Sequence, residues 1–171
     1  MDLGFEVVDL PEATNPGPGD TAPDFTRPLV NTEFWEDVSL SELASEEPVL
    51  LVFYTMDGDF PATYIWNEIR DRGWRERFDV NVVGLSISTP YEHSRFLEER
   101  EMEYDLFTDP SNGVAEKYGI VNPLDGMAGI EEPMPAAFLI DGDMEIRYVW
   151  VSEKWPEFPP YEEIEEAMGS V

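Results

Sequence analysis

The chain has 171 residues, 38 of them acidic and 10 basic, for a net charge of −28; 42% are apolar, none is cysteine and one is histidine, His93. The missing cysteine excludes disulfides, thiolate metal sites and thiol nucleophiles, and one histidine falls short of the four nitrogen or sulfur ligands of a structural zinc site. The charge opposes binding to nucleic acid or to an anionic membrane surface, and no apolar run approaches the roughly 20 residues needed to cross a bilayer.

Residues 1–18 open with an acidic stretch and become rich in Pro and Gly. They lack the basic and apolar regions of a signal peptide, so a cytoplasmic location is expected. We read 1–18 as a lead-in and 19–171 as one domain, a length that suits a single core. Phe25 to Val30 and Phe34 to Val38 predict two short strands joined by a turn at Asn31-Thr32. Ser39 is placed to N-cap a short helix at Leu40–Leu43. Val49 to Tyr54 is a continuous apolar run, the signature of a strand buried on both faces. The loop Thr55-Met56-Asp57-Gly58-Asp59 follows. Ala62, Ile65, Trp66 and Ile69 then recur at helical spacing as far as Gly73.

Asn81 to Ile87 predicts the next buried strand. Thr89-Pro90 opens a helix running to about Arg100, with His93, Phe96 and Leu97 on its inner face. Tyr104 to Phe107 predicts a short strand, and Val114 to Tyr118 a short helix stopped by Gly119. Residues 121–133 read as loop. Ala136 to Ile140 and Glu145 to Val151 predict a hairpin turning at Asp141-Gly142-Asp143. A last helix runs from Tyr161 to Met168. The order is a βαβ unit, expected to cross over right-handed, followed by a hairpin and a helix. This predicts an α/β fold of the thioredoxin-like plan: a central mixed sheet flanked by helices, with an N-terminal β-hairpin extension.

The acids are spread over the whole chain, and Lys117 and Lys154 are the only lysines. Such a surface fits a protein adapted to high salt, where a Debye length of about 3 Å at 1 M screens the self-repulsion. An interaction tail would instead gather its charge in one block.

Five segments resemble the AhpC/TSA, or peroxiredoxin, family. Gly19-Asp20-Thr21-Ala22-Pro23-Asp24-Phe25 is similar to its opening G-x-x-A-P-D-F, and Leu51-Val52-Phe53-Tyr54 to its central strand. Ser86 to His93 resembles its serine-rich loop leading to a helical histidine. Val114 to Ile120 resembles V-A-x-x-Y-G-V, and Phe138-Leu139-Ile140-Asp141 resembles F-x-I-D. The resemblance implies a thioredoxin-like fold and, in that family, a cysteine thiolate at the first turn of a helix that attacks peroxide, aided by an arginine. Here the family's cysteine position is Ala62 in an ungapped alignment or Ile65 with a gap, and its arginine position is Pro135.

The resemblance therefore implies a redoxin domain without catalytic residues, acting as a binding or scaffold domain. The alternative is an antioxidant oxidoreductase that borrows a partner's thiol. No cofactor or metal is implied. A homodimer, a protein partner and a small ligand all stay open. The candidate pocket residues are Tyr54, Asp57, Asp59, Pro61, Thr63, His93, Met134 and Pro135. Thr63 has no base nearby in sequence to activate it. Asp57 and Asp59 read as a solvated loop, His93 as a packed, hydrogen-bonded residue, and Trp155 to Tyr161 as either a partner contact or a cover over the sheet edge. Pro135 resembles the cis-proline of thioredoxin-type redoxins, so a cis Met134–Pro135 bond is expected.

Overall fold

The computed structural model describes residues 7–123 and 127–171; the first six residues of the expected lead-in, and residues 124–126 of the expected 121–133 loop, lie outside them. In chain order the elements are β1 (Val8–Asp9), β2 (Thr26–Val30), β3 (Trp35–Ser39), α1 (Leu40–Glu46), β4 (Val49–Phe53), α2 (Phe60–Arg72), α3 (Trp74–Arg77), β5 (Asn81–Ser86), α4 (Pro90–Glu99), β6 (Asp105–Thr108) and α5 (Gly113–Tyr118). They are followed by β7 (Val121–Asn122), β8 (Glu132–Pro133), β9 (Ala136–Ile140), β10 (Ile146–Val151), β11 (Lys154–Trp155) and α6 (Tyr161–Gly169).

Seven strands form one mixed sheet in the order β10-β9-β4-β5-β6-β2-β3. β4, β5 and β6 run parallel, as βα units require. β9 and β10 close one side as an antiparallel hairpin, and the β2–β3 hairpin extends the other. The expected α/β class, mixed sheet and N-terminal hairpin are all present. The 121–133 stretch differs from expectation: β7 and β8 pair at its two ends.

Local chemistry sets the helix starts. Ser39 Oγ accepts from the Glu42 amide to cap α1, and Thr89 with Glu92 forms a capping box ahead of Pro90 on α4. Gly73 closes α2 in the left-handed region at φ 63°, where a Cβ would be strained.

β4 is buried at every position, and its alternating side chains feed two cores. Leu51 and Phe53 pack with Val83, Phe107, Tyr118 and Phe138 on the α1–α5 side. Leu50, Val52 and Tyr54 pack with Ile65, Trp66, Phe96, Leu97 and Ile164 under α2, α4 and α6. Trp66 is fully buried and lies so close to β5 that a Cβ at Gly84 would come within 2.5 Å of its ring. Burying a large side chain of this kind contributes roughly 2–3 kcal/mol, and the glycine leaves room for the indole against the strand. The segment after residue 6 also packs onto the domain: β1 pairs with β11, and the Thr14 amide donates to Gly119 O at 3.0 Å.

Candidate functional site

β4 ends at Phe53, and the chain then turns through Thr55–Asp59 into α2. This is the carboxyl edge of the parallel strands, where open α/β sheets place their sites. Asp59 is the N-cap of α2, its Oδ1 accepting from the Ala62 amide at 2.8 Å, while Oδ2 accepts from the Thr55 hydroxyl. A carboxylate of the chain itself therefore sits on the amides that a helix N-terminus would otherwise turn toward an anion. Ala62 and Ile65 are both buried, and no sulfur replaces either.

Asp57 is the hub of the loop. Its Oδ1 accepts from the Tyr54 hydroxyl at 2.6 Å, and its Oδ2 lies 2.7 Å from His93 Nδ1. Its backbone amide donates to Ser88 Oγ at 2.8 Å. The other imidazole nitrogen, Nε2, donates to Phe107 O at 2.9 Å. The Asp57 side chain is 5% exposed and that of His93 is wholly buried. Burial, with the Asp57 carboxylate adding to it, pushes the Tyr54 phenol well above its ordinary value, while the Ser86 hydroxyl works the other way. Tyr54 is thus a permanent donor in this network.

The eight expected pocket residues divide. Tyr54, Asp57 and His93 form one connected cluster, and Asp59 stands beside it through Thr55. Pro61 is buried in the first turn of α2, and Thr63 is half-buried one residue after Ala62. Pro135 is buried, and the Ser152 amide donates to its carbonyl at 2.9 Å. Met134 belongs to the opposite core, with Tyr118 and Phe138, and takes no part in a Tyr54 pocket. A groove of about 240 Å³ opens between the loop and α4, lined by Asp57, Gly58, Glu92, Arg95, Phe96 and Glu99.

Two expectations are corrected. The Asp57 carboxylate is not solvated: its side chain is 5% exposed and is covered by the Tyr54 hydroxyl and the His93 ring, 3 and 36 residues away in sequence. The expected cis Met134–Pro135 bond is absent; the cis bond among the described residues is Trp155–Pro156. Between β8 and β9 the chain bends at Pro135, with the Met134 amide donating to Ile120 O at 2.7 Å and the Ser152 amide to Pro135 O. Of the Trp155–Tyr161 stretch, Trp155 pairs with Val8. Phe158, 40% exposed, forms a ring cluster with Phe60 and Tyr64 at the start of α2. Sequence reasoning did not name Ser86, Ser88 or Thr55 individually as parts of this cluster; hydroxyls directly after buried strands were the available signal.

The AhpC/TSA family model matches residues 18–149. The chain belongs to the AhpC/TSA family. Among its relatives, peroxiredoxin Bcp of Escherichia coli is 28% identical over 139 residues, covering 77% of this chain and 83% of the Bcp protein. A chloroplastic 2-Cys peroxiredoxin, BAS1 of Hordeum vulgare, is 25% identical over 138 residues; the match covers 76% of this chain but 63% of the barley protein, less than two thirds of its length. Among solved structures, a thiol peroxidase from Chromobacterium violaceum superposes with a TM-score of 0.77 at 19% identity, covering 94% of this chain and 91% of that one. That likeness speaks to fold, and it agrees with the thioredoxin-like plan. The chain is thus an AhpC/TSA member whose sequence contains no cysteine.

Proposed function

We propose that this AhpC/TSA member is a non-catalytic binding or scaffold domain. One observation carries the reading: the first turn of α2 presents a buried Ala62 whose amide is capped by the Asp59 carboxylate. A peroxidatic site needs a thiolate there, stabilised by the helix end and a nearby cation. This turn has no thiolate to stabilise, and an internal anion already holds the amide.

The remaining sulfurs are thioethers, which oxidise to sulfoxides and need a separate reductase to turn over. The test is peroxide consumption in molar KCl with dithiothreitol as reductant. Consumption at the rate of the protein-free blank is expected. Sustained turnover above it would overturn the reading, and turnover that appears only when a second, thiol-bearing protein is added would favour an oxidoreductase that borrows its sulfur.

A further inference from the structure

The contact between Asp57 Oδ2 and His93 Nδ1, 2.7 Å long, joins two atoms that cannot both be acceptors. The usual escape, turning the ring to its other tautomer, is closed. Nε2 already faces the Phe107 carbonyl at 2.9 Å, and a carbonyl accepts and never donates. The Tyr54 hydroxyl lies 2.6 Å from Asp57 Oδ1 and 3.4 Å from His93 Nδ1, and its single proton serves the shorter contact. The Asp57–His93 contact therefore needs one proton of its own, whichever of the two atoms carries it. With that proton the pair is neutral as a unit. Without it, two lone pairs and a net negative charge face each other out of water, where an unmade hydrogen bond is costly.

The pair lies at a junction. Asp57 belongs to the Thr55–Asp59 loop, whose amide at Asp57 is held by Ser88 and whose end caps α2 through Asp59. His93 belongs to α4 and is tied to β6. We infer that Asp57 and His93 form a one-proton latch that holds the Thr55–Asp59 loop against α4, and that losing this proton frees the loop and uncaps the start of α2. This regulation is independent of whether the domain is catalytic.

The other charged groups on the elements packed around His93 are engaged elsewhere. On α4, Glu92 closes the capping box and Arg95 pairs with Glu99, while Glu98 is exposed. On β2, Arg27 pairs with Asp109, which directly follows β6. On β6, burial raises the pKa of Asp105, with Arg75 opposing. In the loop, Asp59 is held by Thr55 and Ala62. Tyr54, raised well above its ordinary value by burial, keeps its hydroxyl proton as the latch opens.

Because His93 is the sole histidine, nitrogen-15 labelling of histidine reports the latch without assignment. The full chain is titrated in concentrated KCl from about pH 5 to about pH 9, a span that includes the ordinary imidazole range. Ring nitrogen shifts are followed together with protection factors at the Asp57 and Ala62 amides. The ring shifts report whether the shared proton sits on His93 Nδ1 or on Asp57 Oδ2. The two protection factors should then fall about tenfold, the change expected when a buried hydrogen bond is lost, with the midpoint of the ring titration.

Asp57→Asn is the deciding variant. Its amide nitrogen donates to a neutral Nδ1 while its oxygen still accepts from Tyr54, so the loop should stay closed with no pH dependence. Ring titration without a change at the two amides overturns the latch. So does a pair that keeps its shared proton throughout while the amides open, opening of these amides only together with those of β4, or an Asn variant that opens as the wild type does.

Discussion

Two polar clusters hold helices in place, one against the sheet and one against each other, and their surroundings make them opposites. At the carboxyl edge, Tyr54 and His93 are wholly buried and the Asp57 side chain that joins them is 5% exposed. On the α2–α3–α6 side, Glu165 accepts from Arg72 at 2.7 Å, Arg77 at 2.6 Å and Trp74 Nε1 at 3.1 Å, while Arg72 also reaches Glu68 and Glu162. Arg77 and Glu162 stand well out in solvent. The difference teaches which variable each cluster obeys. Ions screen charges they can approach and hardly touch a buried pair, so the ion-pair network answers to salt and the buried cluster to protons and packing.

The largest effect is expected from salt itself, because it acts on the whole surface. With a net charge of −28, dilution from molar KCl to about 0.01 M stretches the Debye length from about 3 Å to about 30 Å and restores repulsion between distant acids. We expect the melting temperature, followed by circular dichroism across a KCl series, to fall steeply. Melting that is independent of salt would remove the salt-adaptation reading.

His93→Leu comes next. It leaves the Asp57 carboxylate buried without its imidazole and Phe107 O without its donor, a loss of about 3–5 kcal/mol. Urea unfolding in molar KCl would measure it, and the cost should change little between high and moderate salt. The double substitution Asp57→Leu with His93→Leu should recover part of the stability, since removing both partners leaves no stranded charge. A single substitution as harmless as a surface change would mean that water already reaches the pair.

Most of the architecture could be read from the chain because it is written locally. The apolar run at Val49–Tyr54, the Ser39 cap, the Thr89-Pro90 start and Gly73 each act within a few residues; the caps and the stop fall where those signals place them, and the strand ends one residue short, at Phe53. The site was less legible because it is assembled from far apart. Nothing near Asp57 announces that a histidine 36 residues later will meet it. Met134 is a different case: it lies before β9, beyond a bend at Pro135, and it joins Ala136, Phe138 and Ile140 in the core across the sheet from Tyr54.

The finest test of the comparison is Glu165→Gln. The side chain is 13% exposed, so it is neither buried like Asp57 nor free like a surface acid. Gln keeps an oxygen to accept from one donor but loses the charge that lets three donors converge, and Arg72 still holds Glu68 at 2.8 Å and Glu162 at 3.1 Å. A partly exposed network of this kind should lose only about 1 kcal/mol. The informative quantity is the salt dependence of that loss. Because Arg77 is about half exposed, ions can take over part of the work of Glu165, and the cost should shrink between moderate and molar KCl. Urea midpoints at the two salt concentrations, set beside those of His93→Leu, test the division directly. A cost for Glu165→Gln that ignores salt as the histidine variant does would show that α6 is held by packing around Trp74 and Ile164, with the carboxylate serving as a hydrogen-bond acceptor rather than as a charge.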